Sequence, residues 1–186
     1  MIQTYSDLKR CLQIEKQWYF EWYTTKKKKW YFRFTSQHRY EIWRYVRLLR
    51  ICEYLLNSNG GNPLKTLALW WYERRRNRLG NRLGICITPN VFDEGLFIDH
   101  IGHIIINPYC RIGKNCHIHG DCCIGNSGQS NDVPTLGDNV DIGWGAMIVG
   151  NVTVADGVII GANAVVTKSI EEPRSTWAGV PAKKVK

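Results

Sequence analysis

Residues 106–170 read INPYCRIGKNCHIHGDCCIGNSGQSNDVPTLGDNVDIGWGAMIVGNVTVADGVIIGANAVVTKSI, and this stretch carries a six-residue repeat. Large aliphatic side chains recur every six residues, with one gap of twelve, at Ile106, Ile112, Ile118, Ile124, Leu136, Ile142, Ile148, Val154, Ile160 and Val166. Four residues after most of them comes a small or apolar side chain, at Cys110, Cys116, Cys122, Val140, Ala146, Val152, Val158 and Ala164. Three residues after most of them comes a residue type that tolerates the positive φ of a tight corner, at Asn115, Asp121, Asn139, Gly145, Asn151, Gly157 and Asn163.

These three coupled columns predict a parallel β-helix. Each hexad forms a short strand and a corner, and three hexads form one triangular coil of about eighteen residues. Coils stack at about 4.8 Å, the spacing of strands in a sheet. Like residues should then lie above one another, for example Ile106, Ile124, Ile142 and Ile160. A single hexad cannot bury its own aliphatic side chain, so the fold is stable only as a stack.

The same columns assign several reactive residue types to the scaffold. Cys110, Cys116 and Cys122 are evenly spaced, as in a metal or redox cluster, but they occupy the inward column that Val and Ala fill elsewhere. Asp121 occupies the corner column. We therefore expect packing from these cysteines and a turn from Asp121, and we expect no metal.

The chain divides by composition near Gly80 to Gly84. Residues 1–84 are basic, aromatic and predicted helical, whereas residues 85–186 contain the repeats. Tyr40–Asn57 has the pattern of an amphipathic helix. Arginines at 44, 47 and 50 lie on other faces than its apolar residues, which are Ile42, Val46, Leu49, Cys52 and Leu56. A second helix should run from Pro63 or Leu64 to about Leu79, with Gly80 just past its end, and a shorter one is expected around Ser6 to Gln17.

Composition limits the classes of protein that this chain can be. Hydrophobic residues make up 44% of the chain, enough to bury a core, yet no apolar run reaches the roughly 18 residues that span a bilayer. The first residues do not resemble an export signal, and the cysteine count is seven, so we expect reduced thiols and a cytoplasmic location. The net charge of +9 predicts an anionic partner without specifying which.

Lys26–Lys29 lie among the aromatic residues Trp18, Tyr19, Trp22, Trp30 and Tyr31. Such a segment can bind single-stranded nucleic acid, stack on sugars or contact an anionic membrane surface. The interpretation that we prefer is a solvated charge run between helices, with aromatics that pack on the β-helix. Of the functional interpretations, a glycan or lipid-linked glycan at the inner face of the membrane fits better than nucleic acid, which we do not expect as a partner.

The segment IDHIGHIIINPYCRIG at residues 98–113, the hexads and the tail AGVPAKKVK at residues 178–186 resemble a known family. They are similar to the serine acetyltransferase branch of the hexapeptide-repeat acyltransferases, which includes enzymes that O-acetylate bacterial surface polysaccharides. The resemblance covers about Ile87 to Lys186. It implies a left-handed coil, acetyl-CoA as co-substrate and a homotrimer with active sites between subunits.

The resemblance also implies roles for particular residues. His100 matches the family's general base, and Asp99 matches the aspartate on the acceptor side. A groove for acetyl-CoA would include Gly145, Ala146, Ala162, Thr167 and Lys168, with Lys183 near the CoA phosphates.

Histidine suits the role of base because its unperturbed pKa is near 6.5. His100 lies six residues before Ile106, at a position where the repeat would place an inward aliphatic side chain. The alternative to a catalytic role is therefore a structural histidine packed in the first coil. His119 should face outward at a corner, where it could bind the acceptor or assist His100, or simply be exposed. His103 is similar, but the register cannot be followed before Ile106. The histidines, including His117, do not match the spacing of the zinc-dependent β-helix carbonic anhydrases.

Two departures from the family bear on the acceptor. Serine acetyltransferases have a longer helical N-terminal region and a second histidine in the loop between hexads. Here that loop is GNSGQSNDVPT, residues 125–135, and Val133 stands about where the histidine would be. We therefore predict an acetyl-CoA-dependent O-acetyltransferase that acts on a hydroxyl of a carbohydrate, such as a bacterial surface or capsular polysaccharide or its precursor. The alternatives are a serine O-acetyltransferase of cysteine biosynthesis and a non-catalytic or zinc-dependent trimeric β-helix.

Overall fold

The computed structural model describes residues 1–20 and 26–186, and for residues 26–29 the backbone alone. The chain forms two compact units, residues 1–83 and residues 84–186. The first unit is helical and the second contains all of the described strands.

The first unit consists of four helices, α1 (Tyr5–Phe20), α2 (Lys26–Phe34), α3 (His38–Asn57) and α4 (Pro63–Leu83). Helix α3 packs against both α1 and α4. The helix predicted to end before Gly80 continues to Leu83, and Gly84 follows it with φ +75°. A left-handed glycine just past the last turn is a common way to end a helix, because it costs no Cβ clash.

The buried face of α3 differs from its predicted pattern at two places. Leu56 is exposed and Leu55 is buried instead. Arg50, which we expected on a polar face, is completely buried. Its guanidinium donates to Glu15 of α1 at 2.6 Å and to Glu53 at 2.9 Å. The positive charge is therefore compensated inside the helical unit, which a buried arginine requires.

The basic aromatic segment is helical where it is described. Lys26–Lys29 form the first turn of α2, and their side chains, like all of Trp22, lie outside the described residues. Trp18, Trp30 and Tyr31 are exposed, whereas Tyr19 is buried, and the packing of these aromatics on the β-helix stays a prediction. Among the described residues, no helix is both long and apolar enough to cross a bilayer.

The second unit is the expected parallel β-helix. Its strands are β1 (Ile85–Cys86), β2 (Phe97–Ile98), β3 (Ile104–Ile106), β4 (Arg111–Ile112), β5 (His117–Ile118), β6 (Cys123–Gly125), β7 (Thr135–Leu136), β8 (Asp141–Ile142), β9 (Met147–Val149), β10 (Thr153–Val154), β11 (Ile159–Ile160), β12 (Val165–Val166), β13 (Thr176–Ala178) and β14 (Lys183–Lys184). They form three sheets, in the orders β1-β3-β6-β9-β12, β10-β7-β4 and β14-β13-β11-β8-β5-β2. All strand pairs are parallel except β13 with β14, which closes the stack at one end.

The inward columns are as predicted, and the aliphatic and small residues of every hexad are buried. Burial raises the pKa of the thiols of Cys110 to about 11 and of Cys122 to about 12. Such thiols stay protonated at neutral pH, so these cysteines are packing residues. Positive φ occurs at the predicted corner residues except Asn151, where Gly150 adopts it instead.

The vertical order of the hexads differs from our prediction. Ile124 stacks on Ile148, and Ile142 stacks on Ile118, so Ile142 does not follow Ile124 in one ladder. The cause is the gap of twelve between Ile124 and Leu136. Six of its residues leave the coil as a loop between β6 and β7, so each later hexad falls on the preceding side of the triangle, one side earlier than predicted.

Candidate functional site

The candidate site begins at a corner that is two residues longer than its neighbour. Ile98 pairs with Ile118, 20 residues on, whereas Ile106 pairs with Ile124, 18 residues on. The extra residues lie between Ile98 and Ile106, in the segment that contains Asp99 and His100. They shift the register, so Ile98 fills the inward position and His100 does not. The packed alternative for His100 is therefore wrong.

His100 lies at the surface of this corner. Its side chain is 51% exposed, and its Nε2 atom lies 3.4 Å from Oδ2 of the half-buried Asp99. The exposure leaves the imidazole accessible to a substrate, while the neighbouring carboxylate can orient the ring and stabilise its protonated form.

Trp144 borders His100 from two coils away. Its corner stacks on the corner of Gly120, which in turn stacks on that of His100. Gly120 has no side chain, so the indole extends across it, and the rings of Trp144 and His100 meet edge to face with centroids 5.9 Å apart. A Cβ on Gly120 would lie only 2.4 Å from the indole. Trp144 remains 40% exposed and therefore forms an aromatic wall beside the imidazole.

Two further histidines project from the next coil. His117 and His119 flank the inward Ile118 on β5, so both point outward. His119 Nε2 donates to Oδ1 of Asp141 at 2.9 Å, and His117 Nδ1 lies 3.4 Å from Oδ2 of the same carboxylate. The hydrogen bond from His117 and the charges of both imidazoles hold the pKa of Asp141 below its usual value.

Asp99 completes this cluster. One ligand atom each from Asp99, His117 and His119 lies within 4.8 Å of the others. The backbone explains this proximity, because the N–H groups of Asp99 and His119 donate to Ile118 and Ile142, equivalent residues of successive coils. The side chains of Asp99 and His119 therefore stand above one another. Of the described residues, these three are the group that could hold a metal ion.

His103 has a different environment from His119. It is 89% exposed, and its Nδ1 lies 3.6 Å from Asp121, whose carboxylate also accepts the backbone N–H of His103. Asp121 adopts φ 43°, as its predicted corner position requires. This pair fixes the end of the long corner.

The residues expected to line a coenzyme groove divide into two groups. Ala162, Thr167, Lys168 and Lys183 are exposed, and Gly145 is half buried. Ala146 is fully buried in the inward column, so it could contribute to a groove through its backbone groups and not through its methyl group. In the loop between β6 and β7, Val133 is half buried.

Sequence analysis missed Asp141 and Trp144 and assigned no role to His117. His117 and Asp141 both stand directly before an inward aliphatic, a signal that both face outward. Their contact depends on the loop that places Asp141 above His117, and the gap of twelve that contains this loop still fits a period of six, so the spacing did not reveal the shift.

Comparison with known proteins shows similarity to serine acetyltransferases. No family model matches the chain. The serine acetyltransferase of Staphylococcus xylosus is 42% identical over 106 residues, 55% of this chain and 49% of the relative. The chain thus spans about half the length of the curated relatives that it matches.

Solved structures extend the similarity to the fold. Soybean serine acetyltransferase, as the apoenzyme, superposes with a TM-score of 0.72 and 25% identity over 97% of this chain and 69% of its own. A serine acetyltransferase in complex with cysteine gives a TM-score of 0.64 and 31% identity over 78% of this chain and 58% of its own. These neighbours have the left-handed β-helix. In sequence and fold, the chain is therefore similar to the serine acetyltransferases, which belong to the left-handed β-helix, hexapeptide-repeat acyltransferases.

Proposed function

We propose that this protein transfers an acetyl group from acetyl-CoA to a hydroxyl group, with His100 as the general base. The observation that carries the proposal is the position of His100, exposed at the lengthened corner beside the carboxylate of Asp99. The similarity to serine acetyltransferases supports the reaction class and the thioester donor.

The chemistry follows from the groups present. A hydroxyl is a poor nucleophile at neutral pH, so His100 takes its proton while the oxygen attacks the thioester carbonyl. The C–O bond forms, the C–S bond breaks, and the proton held on His100 passes to the departing CoA sulfur. Asp99 acts as a positioning residue that favours the imidazolium between these two steps.

L-serine is the first candidate acceptor. The relatives that match this chain are named serine acetyltransferases, and a solved structure of that name shares its fold. The comparisons thus favour the alternative of our sequence analysis over a carbohydrate.

A carbohydrate hydroxyl, of a surface polysaccharide or its precursor, is the second candidate, and one feature of this chain favours it. Trp144 presents an exposed indole at the edge of His100. A flat aromatic ring beside the base can pack against the apolar face of a sugar, whereas serine offers no comparable surface. Val133 in place of a loop histidine is consistent with this acceptor.

The coenzyme would lie along the half-buried Gly145, the backbone of Ala146 and the exposed residues Ala162, Thr167 and Lys168, with Lys183 at its phosphates. We also propose a homotrimer with this groove between subunits, as the resemblance to the family implies. Contact of Lys26–Lys29 with a membrane or lipid-linked glycan stays a prediction from sequence.

Thiol release from acetyl-CoA, measured across L-serine, monosaccharides and polysaccharide fragments, tests the proposal. We expect His100→Ala and His100→Asn to reduce turnover with the best acceptor by about 10²–10⁴-fold. His38→Ala removes a histidine of the helical unit and should leave turnover unchanged. Near-normal turnover in both His100 variants would show that another group is the base.

A further inference from the structure

We propose that Asp99, His117 and His119 form a binding site for a divalent cation of the zinc class. The site goes beyond acetyl transfer, and it departs from our expectation that the protein holds no metal. It rests on three independent features of the second coil, namely the convergence of the side chains, the orientation of the imidazoles and a buried nitrogen.

The convergence supplies suitable ligands. Two imidazole nitrogens and one carboxylate oxygen are a common protein set for zinc, and three such ligands leave the fourth tetrahedral position to water. Ligand atoms around zinc lie about 3.4 Å apart, as bond lengths of about 2.1 Å require. The corresponding atoms here lie within 4.8 Å of one another. Binding of zinc would therefore bring these atoms closer to one another by at most about 1.4 Å.

The strand geometry makes this convergence a property of the fold. A His-X-His sequence on a strand places both imidazoles on one face, because alternate residues point the same way. Ile118 between them is completely buried, which fixes the outward direction of its neighbours. The ring centroids of His117 and His119 lie 4.1 Å apart.

Asp141 orients both imidazoles as a metal site requires. A histidine that binds a metal usually donates its other ring N–H to a carboxylate, which fixes the tautomer and strengthens the ligand. His119 directs Nε2 to Asp141, and His117 directs Nδ1 to the same carboxylate. Each ring then presents its second nitrogen as a lone pair.

In His117 the second nitrogen is Nε2, a polar atom whose hydrogen-bonding capacity the described residues leave unsatisfied. Nε2 of His117 is buried and has no hydrogen-bond partner among the described residues. A buried polar atom without a partner costs free energy, about 1–3 kcal/mol in mutational data. A cation bound to this lone pair would satisfy it, since the other ring nitrogen already faces Asp141.

Zinc binding to the metal-stripped full-length protein tests the proposal. We would use ZnCl₂ as the probe, with calorimetry and a competing chromogenic chelator. Thiols can also bind zinc, so the background carries Cys86→Ser and Cys123→Ser, the two cysteines that are not buried. We expect one zinc ion per chain, and Co²⁺ in its place should give ligand-field absorption without thiolate charge-transfer bands.

The variants distinguish this site from zinc binding elsewhere on the chain. His117→Ala/His119→Ala should abolish stoichiometric binding, and Asp141→Asn should weaken it by about 10–100-fold. His103→Ala removes an exposed histidine outside the cluster, and His100→Ala removes the proposed base; both should retain binding. Circular dichroism checks that each variant is folded. Absence of binding in the parent protein, or unchanged binding in the double variant, would overturn the proposal, whatever the outcome for acetyl transfer.

Discussion

Replacing Gly120 by alanine tests whether the indole of Trp144 forms the wall beside His100. The added Cβ would lie 2.4 Å from Cζ3 of Trp144 and 2.6 Å from Cε3, whereas ordinary contacts begin at 3.4 Å. The indole would have to retreat by about 1.0 Å, the difference between 3.4 and 2.4 Å. Crowding of this kind costs about 1–3 kcal/mol.

A second cost acts on the backbone. Gly120 has φ +147°, a value that an L-residue adopts only under strain. Such strain costs about 1–3 kcal/mol and does not depend on the indole. We therefore expect Gly120→Ala to destabilise the protein by about 2–6 kcal/mol, the sum of the two ranges.

A double-mutant cycle separates the two costs. In a Trp144→Ala background the crowding disappears and the strain remains, so Gly120→Ala should cost about 1–3 kcal/mol less there. Denaturant unfolding followed by far-ultraviolet circular dichroism measures each difference. Gly128 is a matched control, because it has φ +81° and no atom within 4 Å of a Cβ. Gly128→Ala should therefore show no coupling to Trp144.

The measured coupling can contradict this arrangement of the two residues directly. A coupling free energy below about 0.5 kcal/mol between Gly120 and Trp144 would mean that the indole does not lie across Gly120. The proposed wall beside His100 would then be absent, and with it the feature that favours a carbohydrate acceptor.

Two other substitutions test the packing of the coil at Ile118 and the carboxylate of Asp141. Ile118→Ala removes a completely buried side chain and should lower the free energy of unfolding by about 2–5 kcal/mol. Ile159→Ala, at an outward position, should change it by less than about 0.5 kcal/mol. Equal effects of the two substitutions in urea titrations would contradict the inward and outward directions assigned to these side chains. The pKa of Asp141 is lower in the folded state than in the unfolded state. Its carboxylate therefore stabilises the fold at pH values above the unfolded pKa of about 3.9. This stabilisation is lost as the pH falls through the lower pKa of the folded state. Unfolding at successive pH values from 5 to about 2 should therefore show a steeper loss in the parent than in Asp141→Asn, and parallel curves would exclude this contribution.

The hexad pattern predicts the fold well because each column has one physical requirement. Inward positions exclude charge, and corners require positive φ, so Ile118 or Asn115 can be placed without knowing any long-range contact. Helix α3 is predictable for the same reason. Arg50 is the exception, since its burial depends on Glu15 from another helix.

The site is harder to predict because it arises where the repeat is interrupted. The two residues added before Ile106 bring His100 out of the register, and the six-residue loop after β6 sets Asp141 above His117. The first interruption lies before Ile106, where the register cannot be followed, and the second leaves a gap of twelve that still fits a period of six. His100 was identified by resemblance, whereas Trp144 contacts it only through the stacking of three coils, which sequence spacing alone does not reveal.

The antiparallel strand β14 has a consequence for solubility. A stack of parallel strands ends in unpaired N–H and C=O groups, which can recruit strands from other molecules and grow into filaments. Here the outermost strand of the six-stranded sheet is only two residues long, and both are exposed lysines, Lys183 and Lys184. Adding another copy at this edge would bring like charges together and leave little backbone to pair. The tail that resembles a coenzyme-binding segment thus also disfavours the pairing of two copies through this edge of the six-stranded sheet.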